Sequence, residues 1–129
     1  FDKVIENEPK HIQAHILRSK AKYGLKDYNG TINDCMFVLN SESTLNNQDR
    51  FTVNWNLGVC NNSLRNFENA KMFLKKAKVI NPLDMGVYEN LGYSFWGLNQ
   101  LDSALTEFSS MIKIDSKNKK GYRDSQSLF

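Results

Sequence analysis

His11 and His15 stand four residues apart, a spacing that places both imidazoles on one face of a helix. A zinc-peptidase pair would need Glu directly after the first histidine, but Ile12 stands there and no third ligand is evident. The two are therefore expected as solvated histidines near a helix start. Cys35 and Cys60 give neither a disulfide framework nor a zinc set. No histidine neighbours either one in a nucleophile-activating pattern, and both fall on apolar stripes, so core thiols are expected. Asn29-Gly30-Thr31 and Asn61-Asn62-Ser63 have the form of glycosylation acceptors, but sixteen asparagines make such triplets expected by chance. Lys71, Lys75, Lys76 and Lys78 form one basic stretch; Lys113, Lys117, Lys119, Lys120 and Arg123 form another. Both read as solvated faces, with an acidic partner as the alternative. Aromatic rings are not interleaved with them as base stacking requires, and Asp115 and Asp124 dilute the second. No phosphate loop, catalytic carboxylate pair or Ser-His-Asp set stands in a recognisable context, so the expectation is a non-catalytic chain with no cofactor and no metal.

The elements that would carry any site follow from composition and period. The chain has 129 residues, 40% apolar and 24% charged, enough to bury a core and too apolar for disorder. Apolar runs are only a few residues long, so no segment is expected to insert in a membrane, and no basic-then-apolar leader opens the sequence. A formal charge of +3 argues little for a nucleic-acid partner. Two prolines and seven glycines favour helices joined by short turns. The sixteen asparagines lower helix propensity, so packing must hold the helices. They read as genomic bias, which leans towards a protist source and from there towards a ciliary complex.

A period of 34 organises the chain. Leu57-Gly58 and Leu91-Gly92, Ala70 and Ala104, Leu74 and Phe108, and Ala77 and Met111 all stand that far apart. Pro82 falls where Ser116 falls one period later. Backwards, Asp27-Tyr28, Thr31-Ile32, Cys35 and Val38-Leu39 keep the register after an offset of 39, which implies five inserted residues in the polar stretch 41–50. Each unit reads as two helices. Tyr88, Leu91, Gly92 and Phe95 share one face of the first, and Leu101, Ala104, Leu105, Phe108, Met111 and Ile112 form the stripe of the second. Gly92 and Ala104 suit close helix approach, Asp84 and Asp102 suit helix N-termini, and Pro82 ends its helix by way of Asn81.

This pattern closely resembles the tetratricopeptide repeat: an aromatic, Leu-Gly, an aromatic, Ala, an aromatic, Ala, then Pro. Tyr88, Leu91, Gly92, Phe95, Ala104 and Phe108 match in one unit, and Leu57, Gly58, Ala70, Ala77 and Pro82 in the one before. Asn54, Asn61, Met111 and Ser116 depart from it, as do His15, Arg18 and Lys22 in the earliest complete unit. The resemblance implies an all-α fold, a right-handed superhelical solenoid of antiparallel helix pairs. The expected divisions are the end of a preceding repeat at 1–11, a divergent repeat at 12–45, an insertion at 46–50, repeats at 51–84 and 85–118, and the first helix of a further repeat or a cap at 119–129. Phe1, Val4 and Pro9, and Tyr122 and Phe129, fit those end fragments, so a segment of a longer array is expected.

By resemblance, the first helices line a concave face. The partner-binding residues expected there are Trp55, Asn56, Val59 and Asn62 in one unit and Glu89, Asn90, Tyr93 and Trp96 in the next. The large rings have the character of interface anchors, and Asn56 and Asn90, one period apart, could grip the amides of an extended peptide. The clamp that some such arrays use for acidic chain ends is not expected. One register supplies only Asn56; the next supplies Asn90 and Lys120 but puts Asp124 where Arg is needed. The expected function is a protein-interaction scaffold or adaptor that binds a protein or extended peptide inside an intracellular, chiefly cytoplasmic, assembly. The alternatives are the substrate-selecting arm of an enzyme whose catalytic domain lies elsewhere and a helical-repeat RNA binder.

Overall fold

The computed structural model describes residues 12–41 and 45–127, with side chains to residue 118. Six helices follow in order: α1 (Ile12–Gly24), α2 (Tyr28–Asn40), α3 (Asn47–Ser63), α4 (Phe67–Ile80), α5 (Met85–Gly97) and α6 (Leu101–Ser127). No strand occurs among the described residues. The helices pair as antiparallel hairpins α1–α2, α3–α4 and α5–α6, and each hairpin packs on the next through α2–α3 and α4–α5. Residues 1–11 and 128–129, with His11, Phe1, Val4, Pro9 and Phe129, lie outside the described residues.

The hairpin turns repeat with the units. Lys26, Arg65 and Asn99 adopt φ of 61°, 65° and 59°, one after each first helix. The turn closes when Asp27, Asn66 and Gln100 donate their amides to the carbonyls of Lys22, Asn61 and Phe95, five residues back. This is the helix-ending geometry that usually recruits glycine, accepted here by a lysine, an arginine and an asparagine. Side chains cap three helix starts: Asp27 accepts from the Gly30 amide at 3.0 Å, Asn46 from Asp49 at 2.7 Å and Asp84 from Val87 at 3.1 Å.

Two departures from the period have local causes. The residues inserted before the second complete unit fold partly as an extra turn of α3, Asn47–Arg50, with Asn46 as its cap. At the other end, Pro82 follows α4, whereas Ser116 leaves α6 free to continue. α6 is therefore one helix of 27 residues, spanning both the second half of the 85–118 unit and residues 119–127.

The core is a seam shared between hairpins. Ile16, Cys35, Val38, Val53, Leu57 and Phe73 form one buried cluster; Ala70, Leu74, Ala77, Val87, Leu91, Phe95 and Ala104 form the next. The glycines of the Leu-Gly pairs set the helix spacing. A Cβ on Gly58 would lie 2.3 Å from Leu74, and one on Gly92 would lie 2.3 Å from Phe108. The backbones of adjacent first helices, α1–α3 and α3–α5, approach closely, whereas those of the second helices stand further apart and meet only through side chains such as Lys78 and Glu107. An array drawn together on one side and splayed on the other curves towards the first helices, and the face they present is the concave one.

Candidate functional site

The concave face is the outer surface of α1, α3 and α5. Its cross-links are polar: Asn62 Nδ2 donates to the Asn90 carbonyl at 2.9 Å, and Ser94 Oγ donates to Asn62 Oδ1 at 2.8 Å. Asn90 Nδ2 donates back to the Gly86 carbonyl of its own helix at 2.9 Å, and Asn56 is buried. The amides of this face are thus largely used inside the layer. Trp55 is half-buried, parallel to Phe51 at 6.4 Å between ring centres, with its edge over Gly86. Val59, Asn62, Glu89 and Asn90 are partly buried. The outward surface is aromatic and aliphatic: Trp96 is 62% and Tyr93 45% exposed, and Leu17 and Tyr23 of α1 are exposed as well. Tyr93 also meets Phe108 edge-on at 5.8 Å. Such a surface favours apolar side chains of a partner over main-chain amides.

A second constellation lies in the first hairpin. His15, Arg18 and Lys22 stand where the repeat pattern puts an aromatic, a leucine and an aromatic, and all three converge on Asp34 of α2. Arg18 donates through Nε to Asp34 Oδ2 at 2.8 Å and through Nη2 to Oδ1; Lys22 Nζ lies 3.3 Å from Oδ2 and His15 Nδ1 3.3 Å from Oδ1. Burial by itself would raise the Asp34 carboxyl, but the hydrogen bonds and charge of Arg18, with the bonds from His15 and Lys22, outweigh it and hold the group below its ordinary value. The expectation of a solvated His15 is corrected: the ring is buried and stacked on Phe37 at 3.9 Å. Its stripe position and the three bases facing one acid across the hairpin carried the signal, which a search for metal spacing passed over.

Cys35 and Cys60 are free and buried, and burial pushes their thiols up to about 12 and about 11. Thiols so held are inert at neutral pH. Among the described residues no group of three or more His, Cys, Asp or Glu is placed to hold a metal ion. No described helix is long and apolar enough to cross a membrane. Asn61 and Thr31 of the two glycosylation triplets are buried. The first basic stretch packs its lysines on rings: Lys71 and Lys75 lie 5.7 Å from the Phe95 centre, and Lys78 lies 4.9 Å from that of Tyr88 and pairs with Glu107 at 3.2 Å.

Comparison with known proteins agrees with this architecture. Residues 51–82 match the family model described as tetratricopeptide repeat. No curated protein matches the chain. Among solved structures it is similar to "MamA MSR-1 C2", with TM-score 0.77 and 20% identity over 91% of this chain, and to "MamA RS-1 ArsTM double mutant", with TM-score 0.79 and 17% identity over 92%. The chain spans 64% of the length of each. MamA is itself a protein containing tetratricopeptide repeats. At such identities the likeness carries the fold: a tetratricopeptide-like helical repeat, of which residues 51–82 match the repeat model itself.

Proposed function

We propose that this chain is an interaction module that holds a protein or peptide segment on its concave face, as a scaffold or adaptor within an intracellular multiprotein assembly. The observation that supports this reading is the contiguous layer of first helices, locked from within by Asn62, Ser94 and Asn90, that turns Tyr93, Trp96, Leu17 and Tyr23 outward. Large apolar side chains left in water on a concave, pre-formed surface are the form that partner-binding faces take. The residues assigned to the face are Trp55, Asn56, Val59, Asn62, Glu89, Asn90, Tyr93 and Trp96, with Trp96 and Tyr93 as the outward anchors and Trp55 and Asn56 as their support. The test is affinity capture from a native extract with the parent chain and with a Leu17→Ser, Trp96→Ala variant. Both positions are exposed, so helicity by circular dichroism should be retained while the captured partner is lost. Equal capture by both chains would remove the concave face as the site.

A further inference from the structure

The inserted turn of α3 and the proline that stops α4 meet at one place. A cavity of about 370 Å³ lies there, lined by Asn47, Gln48 and Phe51 of α3, Ile80 and Asn81 at the end of α4, and Asp84 just before α5. Phe51 packs on the buried cluster around Leu74 and Leu91 and lies parallel to Trp55, one turn further along α3. Trp55 in turn covers Gly86, two residues after Asp84, so the cavity adjoins the end of the concave face where α3 and α5 begin. One period later Ile114, Asp115 and Asn118 stand within unbroken α6, so that unit has no helix end to form the same wall.

The cavity is rich in acceptors. Asp84 Oδ1 takes the Val87 amide at 3.1 Å, and Oδ2 has no hydrogen-bond or ionic partner among the described residues. α4 ends with spare carbonyls. Pro82 has no amide, Leu83 donates its own to Asn81 Oδ1, and Asp84 donates to the Asn81 carbonyl. The carbonyls of Lys78, Val79 and Ile80 therefore receive no main-chain amide. Bases are scarce here, although the whole chain carries +3. From Asn81 to Gln100 there are two acids, Asp84 and Glu89, and no lysine or arginine. The one base of α3, Arg50, reaches the Leu45 carbonyl instead.

Resting on the concave-face reading above, we propose that this cavity seats one arginine side chain of the protein segment held there. A guanidinium is planar, permanently charged and edged with N–H donors. Its face fits the Phe51 ring, and its edge fits Asp84 Oδ2, the spare carbonyls of α4 and the side-chain amide oxygens of Asn47 and Gln48. The Asp84 carboxylate and the negative end of the α4 dipole both favour the charge. The positive ends of α3 and α5 are already answered by their own caps, Asn46 and Asp84. A lysine would bring a point charge that neither stacks on the ring nor spreads its donors in a plane.

The probe is N-acetylarginine methylamide, titrated into the isotope-labelled whole chain at physiological salt and followed by amide chemical shifts. The lysine and citrulline counterparts serve as controls. Saturable shifts are expected at Asn47, Gln48, Asn81 and Asp84. The citrulline compound, which keeps the shape without the charge, should bind about tenfold or more weakly, and the lysine compound about threefold or more weakly. Asp84→Asn keeps an acceptor for the Val87 amide and should weaken arginine binding by about fivefold or more, with helicity unchanged. A second variant at exposed positions, Asn47→Ala with Gln48→Ala, should weaken it by about threefold or more. Leu17→Ser with Trp96→Ala should leave it unchanged, so the two readings fail separately: partner capture lost in that variant, with no arginine binding to the parent chain, removes the cavity assignment alone. Absence of saturation, equal binding of either control, or binding indifferent to both cavity variants overturns the proposal.

Discussion

Replacing Asp34 by asparagine keeps the shape of the side chain and removes the carboxylate on which His15, Arg18 and Lys22 converge. Asp34 is 2% exposed, and the cations facing it, Arg18 and Lys22, are only 23% and 27% exposed. Asp34→Asn therefore takes its carboxylate away from two cations that water reaches in part. Breaking a fully buried pair costs about 3–5 kcal/mol. Partial solvation of the cations lowers this to about 2–3 kcal/mol, a large share of the roughly 5–15 kcal/mol that holds a domain. Urea unfolding followed by circular dichroism should show an earlier midpoint with an unchanged slope. A triple variant, Arg18→Leu, Lys22→Tyr and Asp34→Ala, removes all three charges and restores the residue types of the repeat pattern on α1. It should be at least as stable as the parent, because an ion cluster replaced by packed apolar groups loses its desolvation cost as well as its attraction. A loss below about 1 kcal/mol in the single variant, or a triple variant weaker than the single one, would refute the reasoning. The pH dependence has a definite sign. The carboxyl is lowered in the folded chain, so its contribution is complete above its ordinary value of 3.8 and is lost as pH falls through the lowered one. His15, Arg18 and Lys22 are the groups that face it.

Gly92→Ala should cost about 1–3 kcal/mol, because the new Cβ would lie 2.3 Å from the Phe108 ring; thermal melting checks this. Arg65→Gly should raise stability by about 0.5–1 kcal/mol in urea titration, since φ of 65° strains every side chain and spares glycine. Cys35 and Cys60, with thiols pushed up to about 12 and about 11, should resist a disulfide-exchange reagent at pH 8 in the folded chain and react at once in denaturant.

The period, the hairpin pairing and the close-approach glycines were legible because they rest on steric rules that act locally. Gly58 and Gly92 have to be small wherever Leu74 and Phe108 cross them. Pro82 likewise states in the sequence where a helix must stop, whereas the continuation of α6 past Ser116 was not read from it, the sequence period having placed a separate helix at 119–129. The turns were half legible: Asn99 tolerates a left-handed backbone, but Lys26 and Arg65 give no such hint, and the repeated five-residue amide bond holds them there. The Asp34 cluster was not legible from a search for chemistry. His15, Arg18 and Lys22 look like failed apolar positions until the single acid on the facing helix is paired with them. On the concave face, residue type marked Trp55 and Trp96 alike, and packing separated them: Gly86 lets Trp55 settle between helices, whereas nothing covers Trp96 to that extent.

The most direct measurement of the central claim is acrylamide quenching of Trp96 fluorescence in a Trp55→Phe chain, free and saturated with the captured partner. Trp96, at 62% exposure, should be readily quenched when free. On binding, its quenching constant should fall by about threefold or more and its emission should move to the blue, as burial of an interface anchor requires. A bound complex in which Trp96 is quenched as readily as before would contradict the assignment of the concave face.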